Sequence, residues 1–436
     1  MSGEFCLSVR DQQALEELLL DDNIKTVPVW LGDDDEITKD GITLKNQSRW
    51  RLFAEHDLCS LFHYNQQSLG HGWSADDQWR DYVRMNELFA EKLFAIYKAG
   101  DIVIVHDYYL LLLPALLRKR CPEMRIIMTL EAPFPTSELV RCLKPRTELL
   151  NGMLGADLIC FQAHHYAQHL ANSCARILGV DVGRKWVDAA DGHRAHLKVC
   201  PSGIDSSKVT SLAFNDAVDA KYTQLAKLYG GKKVIIGCDS PDRLSGVDKK
   251  LEAFKYFLDK CPEWHEKVVL IQFAQPGSVE AVDGENAKYS WRVQDLATKI
   301  NSSYGSVGSL PVQMHAEQLS QEDYFAILRL GDVAVHTCIR EGMSTTGLEY
   351  IACQRQKNGV LIISEFSGTA SSLDEAIRVN PWDTADVAQQ MHKALTMSME
   401  ERRIMYQALS KRLEARHVKH QTNEMLERLG DVLAGK

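Results

Sequence analysis

Acidic residues follow two of the predicted strands in the first half of the chain, where they are positioned to contact a ligand. Asp107 follows the apolar run Ile102–Val105, and Glu131 follows Arg125–Leu130. A carboxylate at the carboxyl end of a parallel strand can accept hydrogen bonds from a sugar or ribose hydroxyl. It can equally cap the helix that comes next, and the prolines after Glu131 are typical of a stiff loop. The residues by themselves leave both interpretations open.

The second half of the chain contains two turns that place glycine and hydroxyl residues at the start of a helix. One is Arg340-Glu341-Gly342-Met343-Ser344-Thr345-Thr346, and the other is Glu365–Ala370. Free backbone N–H groups at the positive end of a helix dipole form an anion site. Glu349, about one turn further into the first helix, is positioned to contact a ribose. Two such turns in one domain indicate a nucleotide-diphosphate site, with a plain serine-capped helix as the alternative.

Short apolar, β-branched runs alternate with amphipathic stretches along most of the chain. The predicted strands are Val27–Leu31, Ile102–Val105, Arg125–Leu130, Leu158–Phe161, Leu197–Cys200, Lys233–Gly237, Val268–Phe273, Pro311–Met314, Val333–Thr337, Val360–Ser364 and Ala376–Val379. The predicted helices include Asp81–Ile96, Ser137–Leu150, Val209–Tyr229, Asp248–Lys260 and Gln321–Leu330. Continuous apolar strands that alternate with helices are typical of parallel sheets covered on both faces.

This pattern predicts an α/β protein with two doubly wound, Rossmann-like domains that face a cleft. The turn cluster Pro201–Asp205 marks the boundary, so the domains are expected at residues 1–205 and 206–395. Residues 396–436 carry no strand signal and are expected to form helices that cross back to the first domain.

Composition and charge exclude several classes of protein. The formal net charge is −9, and no run of Lys and Arg is long enough to follow a phosphate backbone, so we expect no nucleic-acid partner. The longest apolar stretch, Leu110–Leu117, is too short to span a membrane, and the acidic first 30 residues are no signal peptide. The 11 cysteines lack CxxC spacing, which predicts reduced thiols in a cytoplasmic protein and no metal site. Glycine-rich dinucleotide, Walker A, HExxH and GxSxG motifs are absent.

Several longer motifs occur in a fixed order over roughly residues 50–415. They are His106-Asp107-Tyr108-Tyr109-Leu110, Pro133-Phe134-Pro135-Thr136-Ser137-Glu138, Leu154-Gly155-Ala156-Asp157-Leu158, Pro201-Ser202-Gly203-Ile204-Asp205, Arg340-Glu341-Gly342-Met343, Ser364-Glu365-Phe366-Ser367-Gly368 and Val379-Asn380-Pro381-Trp382. In order and spacing they resemble the trehalose-6-phosphate synthase family, which consists of two-domain glycosyltransferases of the GT-B class. The resemblance implies retaining transfer of glucose from UDP-glucose to glucose 6-phosphate, without a metal ion or another cofactor.

On the donor side, the resemblance implies that charged ligands have been replaced. The arginine and lysine that clamp the pyrophosphate in the family correspond to Ser240 and Ser245, and the sugar-facing aspartate corresponds to Glu341. Arg243 lies between the two serines and belongs to the same candidate site. The remaining nucleotide-sugar positions, at one helix start, correspond to Gly342, Met343, Ser344, Thr345 and Glu349.

Nearby cations are Arg243, Lys249 and Lys250. We expect them to compensate poorly, because a displaced cation rarely reproduces the geometry of a clamp.

The acceptor side is depleted in the same way. Asp107 is retained, but Glu131 stands where the family has a histidine, and the acceptor-side tyrosine and tryptophan correspond to Trp50 and Cys59. The Ser-Arg pair that binds the acceptor phosphate falls near Gly277-Ser278-Val279. The family's opening strand and Gly-Gly loop have no counterpart in this sequence. The expected catalytic positions are therefore Asp107, Glu131 and Glu341.

These replacements favour a synthase-like protein of trehalose biosynthesis that is itself inactive or impaired. Its expected role is that of a regulatory or scaffolding subunit with protein partners in a synthase/phosphatase assembly, and with homo-oligomers as a further option. UDP-glucose, UDP and glucose 6-phosphate are expected to bind weakly, and no membrane partner is expected. The alternative is an active retaining glucosyltransferase that makes trehalose 6-phosphate.

Overall fold

The computed structural model of the protein describes residues 5–20, 24–65, 75–240, 242–274, 284–316 and 319–435. These residues form two compact units. The first unit comprises residues 1–199 together with 428–436, and the second comprises residues 200–427.

The first unit contains a small antiparallel sheet and a larger, mostly parallel one. Its strands are β1 (Phe5–Ser8), β2 (Ile37–Thr38), β3 (Gly41–Leu44), β4 (Ile102–His106), β5 (Arg125–Leu130), β6 (Leu158–Phe161), β7 (Trp186–Asp188) and β8 (Arg194–Val199). Its helices are α1 (Val9–Leu20), α2 (Arg49–Leu52), α3 (Cys59–Phe62), α4 (Ala75–Ile96), α5 (Leu113–Arg120), α6 (Ser137–Val140), α7 (Arg146–Met153) and α8 (His164–Ser173). One π-helical turn, Phe53–Leu58, joins α2 to α3, and another, Cys174–Leu178, extends α8.

The larger sheet of the first unit brings three polar residues to one edge. Its strand order is β4-β5-β6-β8-β7, parallel from β4 to β8, with β7 antiparallel to β8. Because the carboxyl ends of parallel neighbours lie at the same edge, Asp107, Glu131 and Gln162 follow β4, β5 and β6 side by side. The small sheet has the order β1-β3-β2.

The second unit is a doubly wound domain. Its strands are β9 (Lys233–Asp239), β10 (Val268–Ala274), β11 (Val312–His315), β12 (Val333–His336), β13 (Val360–Ser364) and β14 (Ile377–Val379). Its helices are α9 (Ser206–Ala213), α10 (Asp216–Leu228), α11 (Val247–Lys260), α12 (Gly284–Tyr304), α13 (Gln321–Leu330), α14 (Thr346–Cys353), α15 (Thr384–Thr396) and α16 (Met399–Ala415). The last helix, α17 (Val418–Leu433), begins in this unit and ends among residues of the first.

The sheet of the second unit has the strand order β11-β10-β9-β12-β13-β14, and its neighbouring strands are parallel. This is the 3-2-1-4-5-6 order of a dinucleotide-binding Rossmann fold. The strand order reverses between β9 and β12, and ligands of such sheets bind beyond the carboxyl ends of the strands at that point. A ligand site is therefore expected among the residues that follow Asp239 and His336.

Most predicted elements are confirmed, and three need correction. Val27–Leu31 is not a strand; it is half-buried coil, and the Leu31 carbonyl accepts a hydrogen bond from the Gln47 side chain rather than from a strand. Ser137–Leu150 is two helices, α6 and α7, because Pro145 cannot lie inside a helix and instead precedes α7. The stretch at 209–229 is likewise divided, into α9 and α10. The Asn215 side chain caps α10 by accepting a hydrogen bond from Val218 N at 3.0 Å.

No helix in the described ranges is long and apolar enough to cross a lipid bilayer.

Trp50 is part of the first unit's core, so its truncation tests this placement. Its side chain is 0% exposed, whereas Trp291 in the second unit is 78% exposed. We expect Trp50→Ala to lower the free energy of unfolding by about 3–5 kcal/mol, because it removes a large buried ring. Trp291→Ala should cost less than about 0.5 kcal/mol. Urea titrations followed by far-ultraviolet circular dichroism measure both; equal midpoints for the two variants would contradict the placement.

Candidate functional site

A cavity of about 550 Å³ lies in the second unit, beyond the carboxyl ends of β9 and β12. It therefore occupies the position where the strand order reverses. Its described lining consists of Cys238, Asp239, Ser240, Ser245, Leu319, Ser320, Gln321, Tyr324, Phe325, His336, Cys338, Glu341, Ser344, Thr345, Thr346 and Glu349. Three carboxyl groups belong to this set, and no lysine or arginine does.

Lys250 is buried next to the lining residue Asp239, whose carboxylate neutralises its positive charge. Its side chain is 0% exposed, forms an ion pair with Asp239 and donates a 3.0 Å hydrogen bond to Gln272 Oε1. Gln272 in turn donates to Asp239 Oδ2 at 2.8 Å. A Cβ on Gly237 would lie 2.4 Å from Lys250 Nζ and 2.3 Å from Gln272 Oε1, so only glycine leaves room for this network in β9. The buried cation is thus committed to a carboxylate of the protein.

Burial shifts the pKa values of two groups on the cavity wall, Glu341 and His336, in the direction that favours the neutral form. Burial raises the pKa of Glu341, and the carboxylates of Asp239 and Asp242 add to the rise, while a 3.0 Å hydrogen bond from Ser367 opposes it. Burial lowers the pKa of His336 to about 4. His336 is therefore neutral at pH 7 and supplies no positive charge to the cavity.

The two glycine- and hydroxyl-containing turns lie together in the structure. Gly368 N donates to Glu341 O at 2.9 Å, and Ser344 N donates to the Thr369 hydroxyl at 2.8 Å. The second of these bonds occupies one of the backbone N–H groups that precede α14. One N–H group of the anion site expected from the sequence is therefore already hydrogen-bonded within the protein.

Polar groups for a neutral ligand remain at the starts of α13 and α14. Ser320 and Gln321 open α13, and Thr345 and Thr346 open α14, so both positive helix ends border the cavity. Glu349, in the first turn of α14, accepts a hydrogen bond from the Tyr324 hydroxyl at 2.5 Å. The wall thus offers hydroxyl groups and carboxylates, which suit sugar hydroxyls better than phosphates.

The structure brings most of the predicted donor-side residues to this cavity, but not the neighbouring cations. Ser240 and Ser245 line it, whereas Arg243 is exposed and is not part of the described lining. Lys249 forms a 2.9 Å ion pair with Glu252 and lies over the ring of Trp382. Gly342 and Met343 belong to the turn before α14 but are also absent from the described lining.

The turn that carries Ser245 is held in place by hydrogen bonds to the Asp242 side chain and by a contact with Thr337. Asp242 Oδ1 accepts hydrogen bonds from Ser245 N and from the Ser245 hydroxyl, both at 2.9 Å. Gly246 has a positive φ of 62°, and the Thr337 hydroxyl donates to its carbonyl oxygen at 2.9 Å. These hydrogen bonds position Ser245 on the cavity wall, where it presents a hydroxyl group and not a cation to a ligand.

The first unit holds a separate group of polar side chains at the edge of its parallel sheet. Glu131 accepts a 2.6 Å hydrogen bond from Gln162 Nε2. Asp107 has a positive φ of 61°, which is uncommon for a residue with a side chain, and its Oδ1 is buried without a hydrogen-bond partner among the described residues. Burial raises the pKa of Asp107 to about 6. The Glu131 carboxylate adds to the rise, and nearby backbone N–H groups oppose it.

The predicted acceptor-side residues are placed differently from one another. Trp50 is wholly buried and presents no surface to a ligand, which corrects its assignment as an acceptor contact. Cys59 is partly exposed, with its sulfur 3.6 Å from His63 Nδ1. The segment Gly277-Ser278-Val279 lies outside the described residues. The sequence did not indicate that Trp50 would lie in the hydrophobic core, because an aromatic residue is equally typical of a surface that stacks against a sugar ring.

Several lining residues were not singled out from the sequence. Asp239, His336 and Tyr324 belong to a strand or helix whose pattern indicated only burial. The rule that ligands bind beyond strand ends at the point of reversal would have found Asp239 and His336, had the strand order been known.

Comparisons with known proteins agree with this architecture. The sequence model of glycosyltransferase family 20 matches residues 8–431. A trehalose-phosphatase of Saccharomyces cerevisiae is 35% identical over 419 residues, which cover 92% of this chain and 45% of that protein. The UDP-forming alpha,alpha-trehalose-phosphate synthase of Pichia angusta is 34% identical over 416 residues, 94% of this chain and 84% of its own length.

A solved structure is similar over nearly the whole chain. The N-terminal domain of the Candida albicans trehalose-6-phosphate phosphatase has a TM-score of 0.88 and 40% identity, and the match covers 98% of this chain and 89% of that one. The chain spans about half the length of the curated trehalose-phosphatases that it matches. The two Rossmann-like units accordingly represent the GT-B class of fold.

The raised pKa of Asp107 predicts a pH dependence of stability. The folded protein holds this proton up to about pH 6, whereas the unfolded chain releases it near 3.8, so stability falls as pH rises between these values. At 1.36 kcal/mol per pH unit the loss is about 3 kcal/mol. Asp107→Asn removes this loss, so the variant should gain about 3 kcal/mol over wild type between pH 4 and pH 7. Urea unfolding across that range measures the difference, and parallel curves would contradict the assignment.

Proposed function

Because the chain belongs to glycosyltransferase family 20, the family of the trehalose-phosphate synthases, we propose that it is a synthase-like component of trehalose biosynthesis that does not itself transfer glucose. The single observation that carries the proposal is the charge of the cavity in the second unit. Its described lining has three carboxyl groups and no lysine or arginine.

A nucleotide sugar requires the opposite charge. The departing UDP gains negative charge in the transition state, and catalysis depends on groups that stabilise that charge as it develops. Two unit charges about 4 Å apart interact by about 4 kcal/mol at an effective dielectric of 20. Each 1.36 kcal/mol is about a tenfold change in rate. Serine at positions 240 and 245, where the family has arginine and lysine, therefore removes several powers of ten in rate.

In the part of the second unit that the structure describes, the three cations near the two serines do not line the cavity. Lys250 is buried against Asp239, Lys249 is paired with Glu252, and Arg243 is outside the lining. The internal segments outside the described ranges contain no lysine or arginine in their sequence. The two helix starts supply partial positive charge, but a dipole end is equivalent to about half an elementary charge.

The relatives support a place in trehalose-phosphate metabolism, and two of them point to an assembly that also contains a phosphatase. Two curated relatives are named trehalose-phosphatases. Each match covers more than nine-tenths of this chain but only about half of the relative. We propose that this chain acts as a regulatory or scaffolding part of an assembly that makes and dephosphorylates trehalose 6-phosphate. In that role the two Rossmann-like units supply docking surfaces, while catalysis belongs to other domains or subunits.

The second candidate function is an active retaining glucosyltransferase. It is favoured by Glu349 and the α14 start, which stand on the cavity wall as a ribose-binding group and an anion site would. An active enzyme would need a cation from outside the second unit to reach the pyrophosphate.

Direct assay separates the two functions. We expect the purified chain to form no trehalose 6-phosphate from UDP-glucose and glucose 6-phosphate, measured by release of UDP. Calorimetry should detect no UDP binding at millimolar nucleotide. Turnover at the rate typical of enzymes, about 1–10³ s⁻¹, would establish the second candidate instead.

Restoring the two charges tests the physical cause. We expect Ser240→Arg combined with Ser245→Lys to bring UDP binding into the millimolar range that calorimetry detects, because each new cation faces the cavity. The matched control is Ser302→Arg with Ser303→Lys, which adds the same charge at exposed positions on α12. An equal gain in the control would mean that net charge alone acts. No gain in the first variant would mean that the cavity is not a donor site.

A further inference from the structure

Three side chains that can ligate a metal ion meet on the second unit, outside the cavity described above. They are Cys261, Glu263 and His392, and one ligand atom from each lies within 4.8 Å of the other two. The distance from His392 Nε2 to Glu263 Oε1 is 3.8 Å. None of the three belongs to the described lining of the first cavity.

The backbone fixes two of these ligands in a short turn. Cys261 ends α11, where its N–H donates to Phe257 O at 2.9 Å, and Pro262 then begins a 3₁₀ helix that ends at Trp264. Trp264 N donates to Cys261 O at 3.0 Å, which closes the turn. The backbones of Cys261 and Glu263 are therefore held together at the end of the helix.

The third ligand comes from a helix that packs beside this turn. His392 lies on α15, which packs against α11. The rings of Phe257 and Trp264 flank its imidazole, with centroids 6.3 Å and 6.4 Å away. Phe257 belongs to α11 and Trp264 to the turn that follows it. Their rings therefore keep the imidazole next to Cys261 before any ion binds.

We propose that Cys261, Glu263 and His392 bind one divalent cation of the zinc class. A thiolate, an imidazole and a carboxylate are the ligands that Zn²⁺ takes, whereas Mg²⁺ and Ca²⁺ select oxygen ligands alone. Bonds of about 2.0–2.3 Å in a tetrahedron place ligand atoms roughly 3.5 Å apart. The 3.8 Å between His392 Nε2 and Glu263 Oε1 is close to that separation. On binding, the Cys261 thiol loses its proton to solvent, a sulfur–metal bond forms, and water fills the fourth position.

The surroundings admit such an ion. A second cavity, of about 590 Å³, has Cys261 and His392 in its wall together with Asp383 and Asp386, so solvent reaches the thiol and the imidazole. One cation, Lys260, also borders it, but its ammonium group lies over the ring of Tyr256. The carboxylates outnumber this cation, which favours a divalent ion.

The chain offers a matched control for a study of binding. Cys121-Pro122-Glu123 repeats the same three residues directly after α5, as Cys261-Pro262-Glu263 does after α11. Among the described residues, this first copy belongs to no group of three ligands. A metal site that requires His392 should therefore form at the second copy and not at the first.

Titration of the full chain with Co²⁺ and Zn²⁺, after removal of metal with a chelator, tests the proposal. We expect one Co²⁺ per chain with a thiolate-to-cobalt charge-transfer band and the intense visible bands of tetrahedral cobalt, displaced by Zn²⁺. Cys261→Ser should abolish the charge-transfer band. His392→Gln and Glu263→Gln should weaken binding by at least about tenfold. Cys121→Ser should bind like wild type.

A second readout guards against variants that fail to fold. Zn²⁺ should raise the thermal unfolding midpoint of wild type and of Cys121→Ser, and should leave that of His392→Gln unchanged, because a ligand stabilises only the state that binds it. His392 is partly exposed, so His392→Gln should fold without metal. Unchanged Co²⁺ binding in Cys261→Ser or in His392→Gln would overturn the proposal. A wild-type chain that binds no ion would also overturn it and leave an ordinary polar contact between His392 and Glu263.

Discussion

The charge of the cavity in the second unit depends on the buried ion pair between Lys250 and Asp239. An ion pair removed from water is stable only when both charges are matched and hydrogen-bonded, and Gln272 completes that requirement by contacting both. Gly237 leaves the space in β9 that this packing needs. The pair holds the Lys250 ammonium group inside the wall, and the polar groups of the described lining include hydroxyl, carboxyl and neutral imidazole groups.

This arrangement separates what a fold preserves from what a reaction requires. The strand order, the helix starts and the position of the cavity at the point of reversal are maintained by apolar packing, which is indifferent to the charges on the wall. Catalysis requires charges at defined places, and the proposed loss of two charged side chains would leave this core undisturbed. A Rossmann-like architecture therefore does not by itself imply an activity.

The first unit shows a related effect at the edge of its parallel sheet. Asp107 and Glu131 follow neighbouring strands, and Asp107 is buried with one oxygen that no described group satisfies. Burial raises the pKa of Asp107 to about 6, and the neighbouring Glu131 carboxylate adds to the rise. A histidine at position 131, as in the family pattern, would instead stabilise the Asp107 carboxylate. Such a costly arrangement persists because the surrounding strands fix both backbones.

The amino-acid sequence by itself determined the fold class, the order of most strands and helices, and the family. Continuous apolar runs such as Leu158–Phe161 and Val360–Ser364 are strands because their β-branched and aliphatic side chains are buried on both faces. The same pattern misled at Val27–Leu31, where an apolar run lacks a neighbouring strand.

Only the tertiary structure decided that Trp50 is core, that Lys250 is committed to Asp239, and that Cys261 and Glu263 meet His392. Each of these depends on contacts between residues distant in sequence. Spacing along the chain carries no information about such contacts until the helices and strands have packed.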